Sequence, residues 1–143
     1  MAAVLDDAER RARRRRLIII VVVAALIVAG LLLFGQLRRR ALDDKSDAAT
    51  TDLRPAWREI DLEGLRAAYN QVATDANTTG DYSAVVKLLP TSNDASFVSA
   101  DLSTAGAIAA RYSIETWAGS ECLDVVVHSA TPNRVTFTTH KGC

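Results

Sequence analysis

LIIIVVVAALIVAGLLLFG, from Leu17 to Gly35, is nineteen residues long and carries no charge and no strong polar group. At about 1.5 Å per residue, a helix over it spans roughly 28 Å, close to the hydrocarbon thickness of a bilayer. A soluble helix of this length needs a polar face, and this stretch has none. In lipid a helix satisfies its own backbone N–H and C=O groups. The stretch therefore reads as a single transmembrane helix, with Leu17, Ile18, Val22, Leu26, Leu32 and Phe34 among its anchoring side chains. The rest of the chain is then a domain held at a membrane.

Arginines flank the segment on both sides. Arg10, Arg11, Arg13, Arg14, Arg15 and Arg16 precede it, and Arg38, Arg39 and Arg40 follow. Basic residues next to a span favour the cytoplasmic side, so the larger cluster places the N-terminus inside and the C-terminal part outside. Signal-peptide cores are shorter and end at a small-x-small site. Here Phe34-Gly35-Gln36-Leu37 runs into arginines, so an uncleaved signal anchor in the cell membrane is expected. Arg13 to Arg16 and Arg38 to Arg40 are expected to contact lipid head groups. Charge divides along the chain: residues 1–40 hold nine arginines and three acids, residues 41–143 eight basic and fourteen acidic side chains. The acidic C-terminal part is a poor nucleic-acid ligand. The expected partners are the membrane and other membrane or envelope proteins.

ALDDKSDAATTDLRP, residues 41–55, is polar and acidic, lacks an apolar face, and reads as a linker or a frayed helix extension ending by Pro55. The expected division is a cytoplasmic basic segment (1–16), a transmembrane helix (17–35), a linker (36–56) and an extracytoplasmic α+β domain (57–143). Asp61 is a good helix N-cap, and Leu62, Leu65, Tyr69, Val72 and Ala76 then repeat at helical spacing. Asn77-Thr78-Thr79-Gly80 stops that helix, and Asn77-Thr78-Thr79 matches a glycosylation sequon. A short helix is expected over 82–89, capped by Asp81 and closed by Pro90, and a short strand at Phe97-Val98.

Residues 111–118, 122–128 and 134–139 read as three antiparallel strands, with Gly119-Ser120 as a type II′ hairpin turn. That turn sets Ile114 opposite Val125 and Glu115 opposite Asp124. Setting His128 opposite Arg134 sets Cys122 opposite His140. Ile114, Leu123, Val125, Val127, Val135 and Phe137 then share the face that the amphipathic helix covers. Cys122 and Cys143 are expected to form a disulfide, with Gly142 letting the chain fold back, as an oxidising compartment allows. Trp117 is expected to pack beside the bridge; if exposed, it reads instead as a contact residue.

The opposite sheet face carries the constellation most suggestive of chemistry. Glu115 and Asp124, as cross-strand neighbours, would repel and so could share a cation or a proton, with His128 nearby. An open sheet face offers no pocket, so the expected metal and cofactor complement is none and no catalytic residue is assigned. There is no Gly-x-Ser-x-Gly elbow and no phosphate-binding glycine loop.

The order of membrane helix, amphipathic helix, antiparallel meander and C-terminal cysteine pair, with Leu65-Arg66-Ala67-Ala68-Tyr69, Thr79-Gly80-Asp81-Tyr82, Glu121-Cys122-Leu123 and Gly142-Cys143, resembles type IV pilins and pseudopilins over residues 60–143. The resemblance implies a filament subunit. The family's processing motif and the Glu within its apolar stretch have no counterpart here. Three expectations result: an anchored interaction or structural domain, a pilin-like subunit, or a small-ligand or metal-binding module on the polar sheet face.

Overall fold

A computed structural model describes residues 2–75 and 80–143, with side chains from Arg10 onward. Ala76 and the sequon Asn77-Thr78-Thr79 lie outside the described residues. The fold is α+β. Helix α1 runs Ala2–Glu59, α2 Leu62–Thr74 and α3 Ser83–Val86; strands follow at β1 Ser96–Asp101, β2 Ala107–Thr116, β3 Gly119–His128 and β4 Arg134–Lys141. The chain divides into two compact units, residues 1–39 and 40–143.

In the first unit, the large apolar side chains from Leu17 to Leu37 are exposed all round the helix. It belongs to the only helix, among the described residues, that is long and apolar enough to cross a membrane.

Of the two forms expected for residues 41–55, linker or frayed helix extension, the chain takes the helix, and it is packed rather than frayed. Residues 40–59 are helical, and Leu42, Ser46, Ala49, Leu53 and Trp57 are buried. Their spacing of three and four residues is one helical stripe. The apolar members are few, but each lies on the same face, and that suffices to dock the helix. Pro55 does not end it either. The packing of Leu53 and Trp57 on both sides outweighs one missing N–H near the C-terminus.

Asp61 caps α2 as expected: its Oδ1 accepts from the N–H of Glu63 (3.1 Å) and of Gly64 (3.0 Å). A Cβ at Gly64 would stand 2.5 Å from Asp61 Oδ2, so a larger residue there would make the capping carboxylate shift. Leu62 and Leu65 of α2 join the core, and Tyr69 and Val72 pack against it. The short helix is smaller than expected. Only Ser83–Val86 is α-helical, with Asp81 Oδ1 accepting from Ser83 N at 2.9 Å. That contact holds the Asp81 carboxyl below the ordinary range.

The sheet is antiparallel in the order β1-β2-β3-β4. Residues 107–110 extend β2 beyond the expected start, and the short strand expected at Phe97-Val98 is present as the longer β1, Ser96–Asp101, which pairs with β2 as the fourth strand. The β3–β4 register is as expected, with His128 opposite Arg134 and Cys122 opposite His140. The β2–β3 register is not. The turn is Trp117-Ala118, two residues earlier than Gly119-Ser120, and Thr116 pairs with Gly119. A type II′ turn needs positive φ at its first central residue. Among the described residues only glycines have positive φ, and Gly119, at 133°, follows the turn instead of opening it. Thr116 Oγ1 instead accepts from Ala118 N at 3.1 Å.

Moving the turn by two residues changes every partner across β2–β3 but preserves alternation. Ile114, Leu123, Val125 and Val127 are therefore buried as expected, with Val135 and Phe137 packed at the margin. Ile108, Ala110 and Tyr112 complete the inner face of β2.

Candidate functional site

Three places in the chain carry the expected functional residues. The first is the apolar segment. Leu17, Ile18, Val22, Leu26, Leu32 and Phe34 are all exposed, between 51% and 67%. Such a surface is compatible with a membrane span, since each leucine-sized side chain removed from water is favoured by about 2 kcal/mol. Arg13 to Arg16 and Arg38 to Arg40 flank the segment on the same helix and are exposed.

The second place is the outward face of the sheet. Asp124 stands opposite Arg111, and Glu115 stands opposite Ser120, so the expected carboxylate pair does not form. The cause is the displaced turn. Arg111 instead grips Asp124 with two nitrogens, Nε to Oδ1 at 2.7 Å and Nη2 to Oδ2 at 3.0 Å. His140 Nε2 meets Asp124 Oδ2 at 2.9 Å from the other side. The Arg111 hydrogen bond, more than any other contact, holds the Asp124 carboxyl below the ordinary range; partial burial opposes it and His140 assists. The same contact raises the Arg111 pKa further. A carboxylate occupied on both oxygens by its own neighbours serves as a cross-strand strut rather than a base or a ligand. His128 is exposed and lies opposite Arg134, away from this group. Among the described residues, no three His, Cys, Asp or Glu side chains gather as a metal cage.

The third place is the disulfide. Cys122 and Cys143 are joined, with Cα atoms 5.3 Å apart. Gly142 turns the chain back at φ 82°, as the sequence suggested. Trp117 departs from expectation: it sits at the β2–β3 turn, 66% exposed, and does not bury against the bridge.

Several anchoring contacts had no local signal in the sequence. Lys45 of α1 donates to the Glu115 carbonyl at 2.7 Å. Asn133, between β3 and β4, donates its side-chain amide to the carbonyls of Trp57 (3.2 Å) and Ile60 (2.9 Å), and its N–H bonds Arg58 O. It thereby satisfies carbonyls that the end of α1 leaves open. Arg66 of α2 spans the β1–β2 loop, with Nη2 bonded to Thr104 O (2.7 Å) and Ala107 O (3.1 Å). Tyr112 donates its hydroxyl to Pro90 O at 2.7 Å. Burial pushes that hydroxyl up to about 12, and the nearby Trp57 indole opposes the shift. Trp57 Nε1 nevertheless meets no partner in hydrogen-bonding geometry.

Comparison with known protein families, with characterised proteins and with solved structures finds no match.

Proposed function

We propose that the protein is a single-pass, signal-anchored protein of the cell membrane that presents residues 40–143 outside as an interaction or structural domain. One observation carries this reading: a helical segment, Leu17 to Gly35, whose apolar side chains face outward all round, preceded by six arginines. The arginine excess on the N-terminal side supports an inside N-terminus. A disulfide in the following unit supports an oxidising location for it. The sheet has its apolar face covered by helices and its polar face braced by Arg111, Asp124 and His140. Such a domain meets partners through surfaces, and the proposal assigns it no catalytic residue.

The protein should remain in the membrane fraction after high-salt and carbonate washing. In intact cells, after mild reduction, a membrane-impermeant thiol reagent should label Cys122 or Cys143. Release of a soluble form beginning near Ala41 would remove the anchor from the proposal, and labelling that requires lysis would reverse the orientation. A pilin-like subunit is the second reading, favoured by a helix packed on an antiparallel sheet that closes with a C-terminal disulfide. Cross-linking into a regular ladder in intact cells would favour that reading over a lone anchored domain.

A further inference from the structure

We infer that the β2–β3 turn is a second membrane contact, in which the indole of Trp117 lies in the lipid interface of the bilayer that holds the anchor. The inference rests on the membrane-anchored reading above.

The α+β unit has two distinct ends. At one end the chain enters from Arg40: Lys45 donates to Glu115 O, and Ala41, Lys45, Glu115, Thr116 and Trp117 line one shallow groove. At the other end Asn133 binds the last carbonyls of α1. The Trp117-Ala118 turn therefore lies at the end where the chain arrives from the apolar segment.

The tether is short. Ala41 follows Gly35 by six residues, a contour of about 20 Å even when fully extended and about 9 Å as helix. The polar layer on each side of the hydrocarbon core is roughly 5–7 Å thick. The tether is thus short enough to let this end of the unit reach the head groups.

The side chain fits that layer. Trp117 is 66% exposed, whereas Trp57, the other tryptophan, is completely buried. Its position at the tip of a two-residue turn, next to small Ala118, presents the ring outward. An indole combines a large apolar body with one N–H donor, which suits the boundary between hydrocarbon and water. Charge at this end is mixed: Lys45 and Lys141 are offset by Asp43, Asp44, Glu115 and Glu121. The contact is therefore made by the indole and does not require anionic lipid.

The test uses the full chain reconstituted in phosphatidylcholine vesicles that contain lipid brominated near the head-group end of its acyl chains. Flotation with the vesicles reports the anchor. Tryptophan emission reports depth, with buried Trp57 as the internal reference. We expect bromolipid to quench part of the wild-type emission and to leave that of Trp117→Phe unchanged. Equal quenching in the two proteins, with both floating, would overturn the second contact and leave the anchor standing. Failure to float would overturn both. Trp117→Phe should melt like the wild type, since the side chain is exposed; a large drop would assign Trp117 to domain packing and overturn the inference.

Discussion

Leu17 to Gly35 and Leu42 to Trp57 belong to the same helix and use apolar side chains in opposite ways. The first stretch is apolar at every position and exposed at nearly all of them. The second is mostly polar, yet Leu42, Ala49, Leu53 and Trp57 are buried to 9% exposure or less. In the segment long and apolar enough to cross a membrane, composition carries the signal and phase is irrelevant. Where the partner is a sheet, phase does the work, and four residues in one stripe outweigh the acids around them.

The strongest way to break this comparison is Trp57→Ala. The side chain is fully buried and makes no hydrogen bond that the change would lose, so the cost is transfer plus cavity, about 3–5 kcal/mol. Thermal or denaturant unfolding of residues 40–143 should shift accordingly while membrane retention is unchanged. Retained stability would show that this half of the helix is a spacer after all.

Cys143→Ser tests how much of the second unit depends on its covalent closure. The bridge joins residues 21 apart, and in the chain-entropy account a ring of that size contributes about 3 kcal/mol. The variant should lose roughly that much in denaturant melts, and reduction of the wild type should reproduce the loss.

The core contact at Tyr112 gives a pH signature that the apolar segment lacks. Burial raises the folded-state pKa from 10.0 to about 12. The unfolded chain releases the proton first, so stability is full below pH 10 and falls as pH rises from 10 to about 12. Two units correspond to at most about 3 kcal/mol. Denaturant melts across this range should show the decline, and Tyr112→Phe should flatten it.

The smallest effect sharpens the contrast from the other side. Leu26→Ala removes more apolar surface than many core changes, but Leu26 is 67% exposed. The melting of residues 40–143 should move by less than about 0.5 kcal/mol. A larger shift would mean that the segment contributes to the fold of the second unit.

Legibility in the sequence followed the kind of signal each element carries. The apolar helix, long enough to cross a membrane, was readable because its signal is uninterrupted. The Asp61 cap, the inner sheet face and the Cys122–Cys143 bridge were readable from local chemistry and strict alternation. The helical stripe at 42–57 was missed because its average polarity hides its spacing. The Glu115–Asp124 pair was wrong because one glycine was placed inside the turn when it follows it. Alternation survives a two-residue displacement and cross-strand neighbours do not, so a face can be read where a site cannot. The contacts of Asn133, Arg66 and Lys45 join residues 36 to 76 positions apart. No periodic pattern announces them.

The disulfide also decides where a label can be hung. Because Cys143 is tied to Cys122, whose β2 neighbour Ser113 lies two residues before Glu115, Cys143 is held near the end of the unit that carries Ala41. A fluorescent protein or affinity tag fused there would crowd the groove containing Trp117. Residues 129–132 form the β3–β4 loop at the opposite end, exposed and next to Asn133. An epitope inserted in that loop would point away from the crowded end and leave the bridge, the turn and the groove as they are.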